Sequence, residues 1–233
     1  MRSNGHASAS HPVAWLKETL IILVGAVVLS LIIKTFLAQA FFIPSASMEN
    51  TLEIGDRVLV TKLAPGPFDV HRGDIVVFKD PGGWLPAPAP VTPNPVRDTF
   101  HTALTDIGLL PQDSGEHLIK RIIGLPGDHV TCCDDSRRVT VNGVGSSEPY
   151  LKPGSLPSEV PFDVTVPAGR LWVMGDNRQN SRDSRGHISE AGDGTIPLAN
   201  VVGVAFSRVW PADRIGLLRN PGATFVEVPG PTS

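Results

Sequence analysis

The feature that most constrains this chain of 233 residues is an apolar segment near its start. Residues 19–33 carry no charge, and the window from Thr19 to Ala38 contains a single charge, Lys34. A helix that crosses a bilayer needs about 20 predominantly apolar residues, and a lysine near its end can extend to the lipid headgroups. We therefore predict a single transmembrane helix within residues 16–40, after a short cytoplasmic tail at residues 1–15.

The same segment has a second interpretation, as a signal peptide that is removed. Ala38-Gln39-Ala40 has the small-x-small pattern of a cleavage site. The late start of the segment, and Glu18 beside Lys17, favour an uncleaved anchor instead. Because only Arg2 and Lys17 precede the span, the distribution of basic residues gives a small preference for a cytoplasmic N-terminus. The domain after the span is then extracytoplasmic.

The residues after position 41 predict a mainly β domain, which we place at 41–220. Short runs rich in branched and aromatic residues alternate with clusters of Gly, Pro, Asn and Asp, as expected for strands and turns. Asn142-Gly143 is a strong signal for a hairpin of antiparallel strands. The expected fold class is a single transmembrane helix followed by a compact domain of antiparallel, coiled β-sheets. The predicted strands lie at 57–60, 75–78, 118–123, 139–141, 163–166, 171–174 and 201–209.

Two parts of the chain lack a regular pattern. Residues 81–116 form a Pro-rich insertion, which we expect to be a solvated and extended loop with a short helix at 99–110. The tail at 221–233 is rich in Pro and Gly and is predicted to be flexible. The sequence assigns no role to the insertion.

The composition argues against several classes of function. The formal net charge of −3 argues against a protein that binds nucleic acid through its overall charge. The cysteines are two neighbours, Cys132 and Cys133, so a framework of disulfides is excluded. We predict two thiols, because a bridge between neighbours needs a strained peptide geometry, but the sequence leaves their redox state open. The seven histidines do not show the spacing of paired metal ligands. We therefore expect no metal site.

Two serines, Ser45 and Ser47, lie just past the predicted span, where a nucleophile would act at the bilayer surface. The composition leaves a Ser-His-Asp triad open, but no Gly-x-Ser-x-Gly elbow is present. A lysine can serve as the base instead if burial lowers its pKa. Lys120 lies inside the apolar run 118–123 and meets this need, although a lone lysine of this kind is more often an edge-strand residue.

Residues 174–185 form a third cluster, dense in polar groups, which by itself indicates a hydrogen-bonded loop. Together the three clusters resemble the sequence boxes of bacterial type I signal peptidases, in the family's order after an N-terminal anchor, and a fourth box matches as well. The resemblance covers residues 17–80 and 117–210, and four motifs in order are very specific. The matching motifs are Ile43-Pro44-Ser45-Ala46-Ser47-Met48, Arg72-Gly73-Asp74-Ile75-Val76-Val77-Phe78, Lys120-Arg121-Ile122-Ile123-Gly124-Leu125-Pro126-Gly127-Asp128 and Gly175-Asp176-Asn177-Arg178-Gln179-Asn180-Ser181-Arg182-Asp183-Ser184-Arg185.

The resemblance implies roles for the matching residues. Ser47 matches the family's nucleophile and Lys120 its general base. Ser45 matches the side chain that joins the Ser47 backbone N–H in an oxyanion hole, and Ser181 matches the hydroxyl that orients the lysine. No metal or organic cofactor takes part in such a mechanism.

Other positions match supporting residues of the family. Asp183 and Arg185 correspond to a structural ion pair beneath the site, and Met48 corresponds to a residue that packs behind the nucleophile. Shallow pockets for small side chains, at the third and first positions before the scissile bond, are implied at Ile43, Pro44 and Ile119.

One departure from the family pattern follows the nucleophile. Many members continue Ser-Met with x-Pro-Thr, whereas this chain has Glu49-Asn50-Thr51. The missing proline is expected to loosen the local backbone and to leave the catalytic atoms intact.

The function implied is that of a serine endopeptidase in the bacterial cell membrane, single-pass, which removes signal peptides from secretory preproteins after Ala-x-Ala-like sites. We expect its partners to be those preproteins and the lipid bilayer, with no nucleic acid, and we expect a monomer. Because Lys120 must be neutral, activity should lean to alkaline pH. Two alternatives remain: a Ser-Lys protease dedicated to one precursor, and a membrane-anchored binding module with degenerate boxes. The presence of Ser47 and Lys120 argues against the module.

Overall fold

The computed structural model describes residues 12–86 and 114–231, and it begins with a long apolar helix. This helix, α1 (Pro12–Ile32), is 21 residues long and ends in a π-helical turn, Ile33–Leu37. At about 1.5 Å per residue, it spans roughly 30 Å, the thickness of the hydrocarbon core of a bilayer. Its part Trp15–Ile32 has a mean hydropathy of 2.0, and none of it is buried against the protein. By length and composition, α1 can cross a membrane.

The boundary between the helix and the domain lies earlier than predicted. The strand β1 (Ala38–Phe42) follows the π-helical turn directly, whereas the predicted anchor extends over 16–40. All 5 residues of β1 pair with β2 (Arg57–Thr61), and Gln39 and Phe41 are buried. An apolar run that could by composition have continued the helix is therefore taken into the sheet.

The domain is built from short antiparallel strands arranged in two sheets. The strands after β2 in the described residues are β3 (Ile75–Lys79), β4 (His117–Gly124), β5 (His129–Cys132), β6 (Val139–Val141), β7 (Val144–Gly145), β8 (Phe162–Thr165), β9 (Arg170–Met174), β10 (Ile196–Pro197), β11 (Val201–Trp210) and β12 (Gly216–Leu217). The larger sheet has the order β1-β2-β11-β3-β4-β9-β10 with β12 paired to β11, and the smaller has the order β7-β6-β5-β8. The predicted fold class, a mainly β domain after an apolar helix, is confirmed.

The predicted strands are all present, and their ends differ from the prediction by no more than one residue. The Asn142-Gly143 hairpin is confirmed, because Val141 pairs with Val144 across it. The sequence pattern does not predict β1, β5 or the two-residue strands β7, β10 and β12. β1 is hidden at the end of the apolar segment, and β5 has no continuous run of branched residues that would mark it.

The central strand β4 carries two adjacent basic residues into the interior. It is buried from Leu118 to Gly124 and pairs with β3 and β9. Because successive side chains of a strand point to opposite faces, Lys120 and Arg121 enter different parts of the interior. A buried cationic side chain must find polar partners or lose its charge.

The C-terminal tail is packed, so the prediction that it is flexible is wrong for residues 221–231. Phe225 and Val228 are buried in the cluster that also contains Trp172. The carbonyl of Pro229 accepts a hydrogen bond from the Arg72 guanidinium at 3.2 Å. Burial of these two side chains, together with hydrogen bonds to the backbone of the tail, attaches this Pro- and Gly-rich segment to the domain.

Two further predictions concern the insertion and the cysteines. Of the insertion at 81–116, the described residues are 81–86 and 114–116; the predicted helix at 99–110 lies outside the described residues. Cys132 and Cys133 are joined in a disulfide, so the prediction of two thiols is wrong. Their sulfur atoms meet at the end of β5, at the surface of the smaller sheet.

Candidate active site

Ser47 and Lys120, 73 residues apart in the chain, meet in the interior. Ser47 lies in the 3₁₀ turn Ala46–Met48 that follows β1, and Lys120 lies in the middle of β4. Their exposed fractions are 6% and 4%. Lys120 Nζ donates to Ser47 Oγ over 2.7 Å. A general base needs this contact to take the proton of a hydroxyl nucleophile.

The surroundings of Lys120 favour its neutral form. Burial lowers the pKa of Lys120 from its ordinary value of 10.5 to about 8; the charges of Asp183 and Asp176 limit the shift, and the charge of Arg185 adds to it. Besides Ser47, the Nζ atom contacts the carbonyl oxygen of Ile119, at 3.0 Å. A lysine with a pKa of about 8 is partly deprotonated near neutral pH, which a base requires.

Ser45 lies beside Ser47 on the solvent side. Its Oγ is 3.3 Å from Ser47 Oγ, and its side chain is exposed. The residue is in extended conformation, just before the 3₁₀ turn. Its hydroxyl is therefore close to Ser47 Oγ and accessible from the solvent.

Ser181 is buried behind the pair, close to Asp183. Its Oγ has no hydrogen-bond partner of ordinary geometry among the described residues. The hydrogen bonds of Lys120 go to Ser47 and to the Ile119 carbonyl rather than to Ser181. The orienting role of Ser181 stays a prediction.

The predicted ion pair of Asp183 and Arg185 is present beneath the site. Arg185 Nε and Nη2 each donate to the Asp183 carboxylate over 2.8 Å, and the backbone N–H of Gly175 donates to it over 2.9 Å. Burial alone would raise the pKa of Asp183, but the hydrogen bonds from Arg185 and Gly175 and the charge of Arg185 lower it overall. Asp183 therefore remains an anion that ties β9 to the following turn.

Two residues missed by sequence reasoning hold the nucleophile turn in place. Asn177 N donates to Ser47 O, and Asn177 Nδ2 donates to Ala46 O, each over 3.1 Å. A Cβ at Gly175 would collide with Ser181 and with the backbone oxygen of Ser47. Only glycine allows the loop after β9 to approach the nucleophile this closely. The Gly-Asp-Asn run directly after a strand was the available signal.

A second buried ion pair lies on the opposite face of β4. Arg121 Nε and Nη2 donate to Asp176 over 2.8 and 2.6 Å, and Arg121 Nη1 donates to Gly73 O over 2.7 Å. The guanidinium also lies 4.1 Å from the ring centre of Tyr150. Burial alone would lower the pKa of Arg121, but the hydrogen bonds and charge of Asp176 raise it. Arg121 and Asp176 thereby link the strand of the base to the loop after β9.

Asn50 occupies the position of the missing family proline. Its φ is 85°, which proline cannot adopt and which asparagine tolerates. Its Nδ2 donates to the carbonyls of Tyr150 and Leu151 over 3.1 and 3.2 Å. These hydrogen bonds connect the turn to residues 150–151, and the expected loosening of the backbone stays a prediction.

A groove lies in front of the Ser47–Lys120 pair, between the segment 41–45 and the start of β4. Among the described residues, β1 pairs only with β2, and residues 117–120 pair only with β3, so both inner edges are free. The cavity measures about 90 Å³, room for a few water-sized groups. It is lined by Phe41, Phe42, Ile43, Pro44, Ser45, Val77, Leu85, His117, Leu118, Ile119 and Lys120.

The residues predicted to form the substrate pockets lie along this groove, and their contact with substrate side chains stays a prediction. Ile43, Pro44 and Ile119 all line the groove, and Met48 is fully buried behind Ser47. Within 12–86 and 114–231, no group of three His, Cys, Asp or Glu side chains is placed to hold a metal ion.

Comparison with known proteins decides the family. A family model described as signal peptidase, peptidase S26, matches residues 16–210. The chain belongs to this family. Signal peptidase I of Mycobacterium tuberculosis (strain ATCC 25618 / H37Rv) is 40% identical over 225 residues, which cover 88% of this chain and 76% of that protein. The probable signal peptidase I of Mycobacterium leprae (strain TN) is 39% identical over 226 residues, covering 85% of this chain and 78% of that one.

A solved member of the signal peptidase family is more distant. A signal peptidase I from Enterococcus faecalis V583 is 27% identical, covers 59% of this chain and 97% of its own, and has a TM-score of 0.37. This score is too low for a comparison of folds. The fold class rests on the chain's own strands and their pairing.

Proposed function

We propose that Ser47 and Lys120 are the catalytic pair of a membrane-anchored serine endopeptidase that cuts preproteins after Ala-x-Ala-like sites. As a member of the signal peptidase family, the chain is a peptidase that removes signal peptides from secretory preproteins. The observation that supports the catalytic pair is the 2.7 Å contact between Lys120 Nζ and Ser47 Oγ, in a buried site that opens onto the groove.

The chemistry follows from the positions of these atoms. Neutral Lys120 takes the Ser47 proton while Oγ attacks the scissile carbonyl carbon. The Ser47 N–H and the Ser45 hydroxyl stabilise the oxyanion, and the ammonium of Lys120 protonates the departing amine. An acyl-enzyme on Ser47 remains. Lys120, neutral again, activates a water molecule that hydrolyses the ester and restores the enzyme.

The groove suits an extended peptide. β1 and β4 run in the same direction, because three antiparallel strands separate them in the sheet. A substrate strand lying between their free edges can form main-chain hydrogen bonds to both. The small cavity accepts only short side chains near the scissile bond, and Ile43, Pro44 and Ile119 form its walls.

In the proposed arrangement, the anchor holds this site at the membrane surface. We propose that α1 is an uncleaved, single-pass span, with the domain on the extracytoplasmic side of a bacterial cell membrane. Ala38-Gln39-Ala40 lies within a paired strand and Gln39 is buried, which argues against removal at Ala40. From Ala38 to Ser47 the chain reaches about 30 Å at most. We propose that the protein acts as a monomer, since one chain supplies both Ser47 and Lys120.

The function is tested with the full chain purified in detergent and a preprotein that carries an Ala-x-Ala site. Mass spectrometry of the product identifies the cut. We expect cleavage after the second Ala by the parent and none by Ser47→Ala. A folded parent that cuts no preprotein would favour the dedicated protease or the binding module. Activity that survives in Ser47→Ala would show that the nucleophile is another residue.

The pH dependence should reflect Lys120. Because the base must be neutral and its pKa is about 8, kcat/KM should rise up to tenfold per pH unit below that value and level off above it. The measurement is a steady-state profile between pH 6 and pH 10, roughly two units on each side of that pKa. A profile that stays flat down to mildly acidic pH would contradict the role of Lys120 as the base.

The Ser45 hydroxyl should contribute through the transition state. Ser45→Ala removes one oxyanion donor, so we expect kcat to fall about 10²–10³-fold with little change in KM. Ser45→Thr keeps a hydroxyl and should retain far more activity. A loss of less than about threefold in Ser45→Ala would remove Ser45 from the oxyanion hole.

A further inference from the structure

The first residues of the insertion form a fixed turn rather than a free loop. The Asp80 carboxylate accepts hydrogen bonds from the backbone N–H groups of Gly82, Trp84 and Leu85, at 2.9, 3.1 and 3.1 Å. Three donors on one carboxylate fix the path of the chain directly after β3. The side chains of Trp84 and Leu85 therefore have defined positions.

Trp84 fastens this turn to the domain. Its side chain is 6% exposed and belongs to the same buried cluster as Phe78 and Leu118. The indole ring stacks on His187 with 4.2 Å between ring centres and 3° between planes. His187 is fully buried, and its Nδ1 lies 2.7 Å from a Glu190 carboxylate oxygen. The turn at 80–85 is thus held by its own hydrogen bonds and by an aromatic stack.

Leu85, the next residue, forms part of the groove wall. It lines the cavity together with Phe41 and His117, whose rings are in contact at 5.4 Å between centres. His117 lies three residues before Lys120 on β4, so it is about 10 Å from the catalytic lysine along the strand. The Asp80 carboxylate binds the Leu85 N–H, and Asp80 directly follows Lys79 in the chain. Lys79 pairs with His117 between β3 and β4, so Leu85 is held near His117. Leu85 therefore closes the groove at the end away from Ser47.

We propose that Leu85 is a specificity-determining residue, which limits the size of the substrate side chain at the third position before the scissile bond. Trp84 and His187 are positioning residues that hold Leu85 in the groove. Side chains two residues apart in an extended peptide lie on one face, about 7 Å apart. When the substrate side chain at the first position before the scissile bond lies at Lys120, the side chain at the third position reaches the end of the groove that Leu85 closes. This inference rests on the proposed function, and it assigns the start of the insertion to substrate selection.

The test compares two preproteins that differ only at this third position, one with Ala and one with Leu. The measured quantity is the ratio of kcat/KM for the Leu substrate to that for the Ala substrate. In Leu85→Ala we expect the ratio to rise about tenfold or more, because a few methylene groups of extra space discriminate by about that factor. Leu156→Ala, on a half-exposed leucine outside the groove, should keep the parent's ratio.

A second variant tests the positioning role of the stack. Trp84→Leu removes the indole ring that stacks on His187, so it should raise the ratio as Leu85→Ala does. The pH profile set by Lys120 should keep its midpoint. A ratio within about twofold of the parent's in both variants would overturn the proposal. If the parent cleaves neither preprotein, the proposed function fails instead, so the two failures are distinguishable.

Discussion

Replacing Lys120 by methionine is expected to lower kcat/KM about 10³-fold or more, because no other base lies within reach of Ser47 Oγ among the described residues. Methionine keeps most of the volume of the lysine stem, so the packing of β4 is preserved. The measurement is preprotein cleavage at a pH above 8, where the parent's Lys120 is mostly neutral.

The same substitution should make the protein more stable at neutral pH. The pKa of Lys120 falls from 10.5 to about 8 on folding, so between these values the unfolded chain binds more protons and stability rises with pH. Below pH 8 the parent therefore carries a penalty of about 3 kcal/mol. The variant also loses the hydrogen bond between Lys120 and Ser47, which lowers its free energy of unfolding by about 1 kcal/mol. We expect a net gain of about 2 kcal/mol at pH 7, measured by denaturant unfolding of the full chain in detergent.

Two controls accompany this variant. Lys152→Met changes a half-exposed lysine that pairs with Glu49, and it should alter stability by less than about 1 kcal/mol. Lys120→Arg keeps a cation and adds bulk, and it should be inactive without the gain in stability. A Lys120→Met protein that is active, or that is less stable than the parent at pH 7, would contradict the assignment.

Breaking the buried ion pair of Arg121 and Asp176 is expected to have the largest effect on stability. In Arg121→Met, the Asp176 carboxylate remains fully buried without its main partner. Such an uncompensated charge costs about 3–5 kcal/mol of unfolding free energy. Denaturant unfolding of the full chain measures it, and cleavage activity should fall with it because Asp176 lies in the loop that holds the nucleophile turn.

Two further variants distinguish the cost of leaving the Asp176 charge unpaired from the contribution of the ion pair itself to stability. Arg138→Met breaks an exposed ion pair with Asp134 and should cost less than about 1 kcal/mol. The double variant Arg121→Met/Asp176→Leu removes both charges and should recover part of the lost stability. An Arg121→Met protein within about 1 kcal/mol of the parent would contradict the expected cost.

Local sequence signals were sufficient for most of the sheet. Strand composition located β3, β4, β9 and β11, and Asn142-Gly143 located a hairpin, because each depends on neighbouring residues. The ordered tail depends on Phe225 and Val228 finding a distant core. The end of α1 depends on pairing of β1 with β2. Composition alone contains neither of these tertiary contacts.

The candidate site likewise has some features that the sequence motifs predict and others that depend on tertiary contacts. The meeting of Ser47 and Lys120, 73 residues apart, follows from the curling of a sheet and not from any local spacing, so only the family motifs anticipated it. Asn177 and Leu85 were not anticipated. Asn177 acts through backbone atoms of the nucleophile turn, and Leu85 lies in a segment outside the motifs. The role predicted for Ser181 stays a prediction.

The two unpaired strand edges beside the groove have a consequence for the range of clients. Without a substrate, water satisfies those backbone N–H and C=O groups of 117–120 and 41–45 that have no partner in the protein. The N–H and C=O of Ile43 already pair with Asp56 and Gly55, and the Ile119 carbonyl pairs with Lys120. A bound peptide replaces that water with main-chain hydrogen bonds that are the same for nearly any sequence. Most of the binding free energy is then independent of the peptide's side chains. Discrimination is left to one small cavity. The proposed binding mode therefore allows one enzyme to process exported proteins that share little beyond two short side chains near the cut.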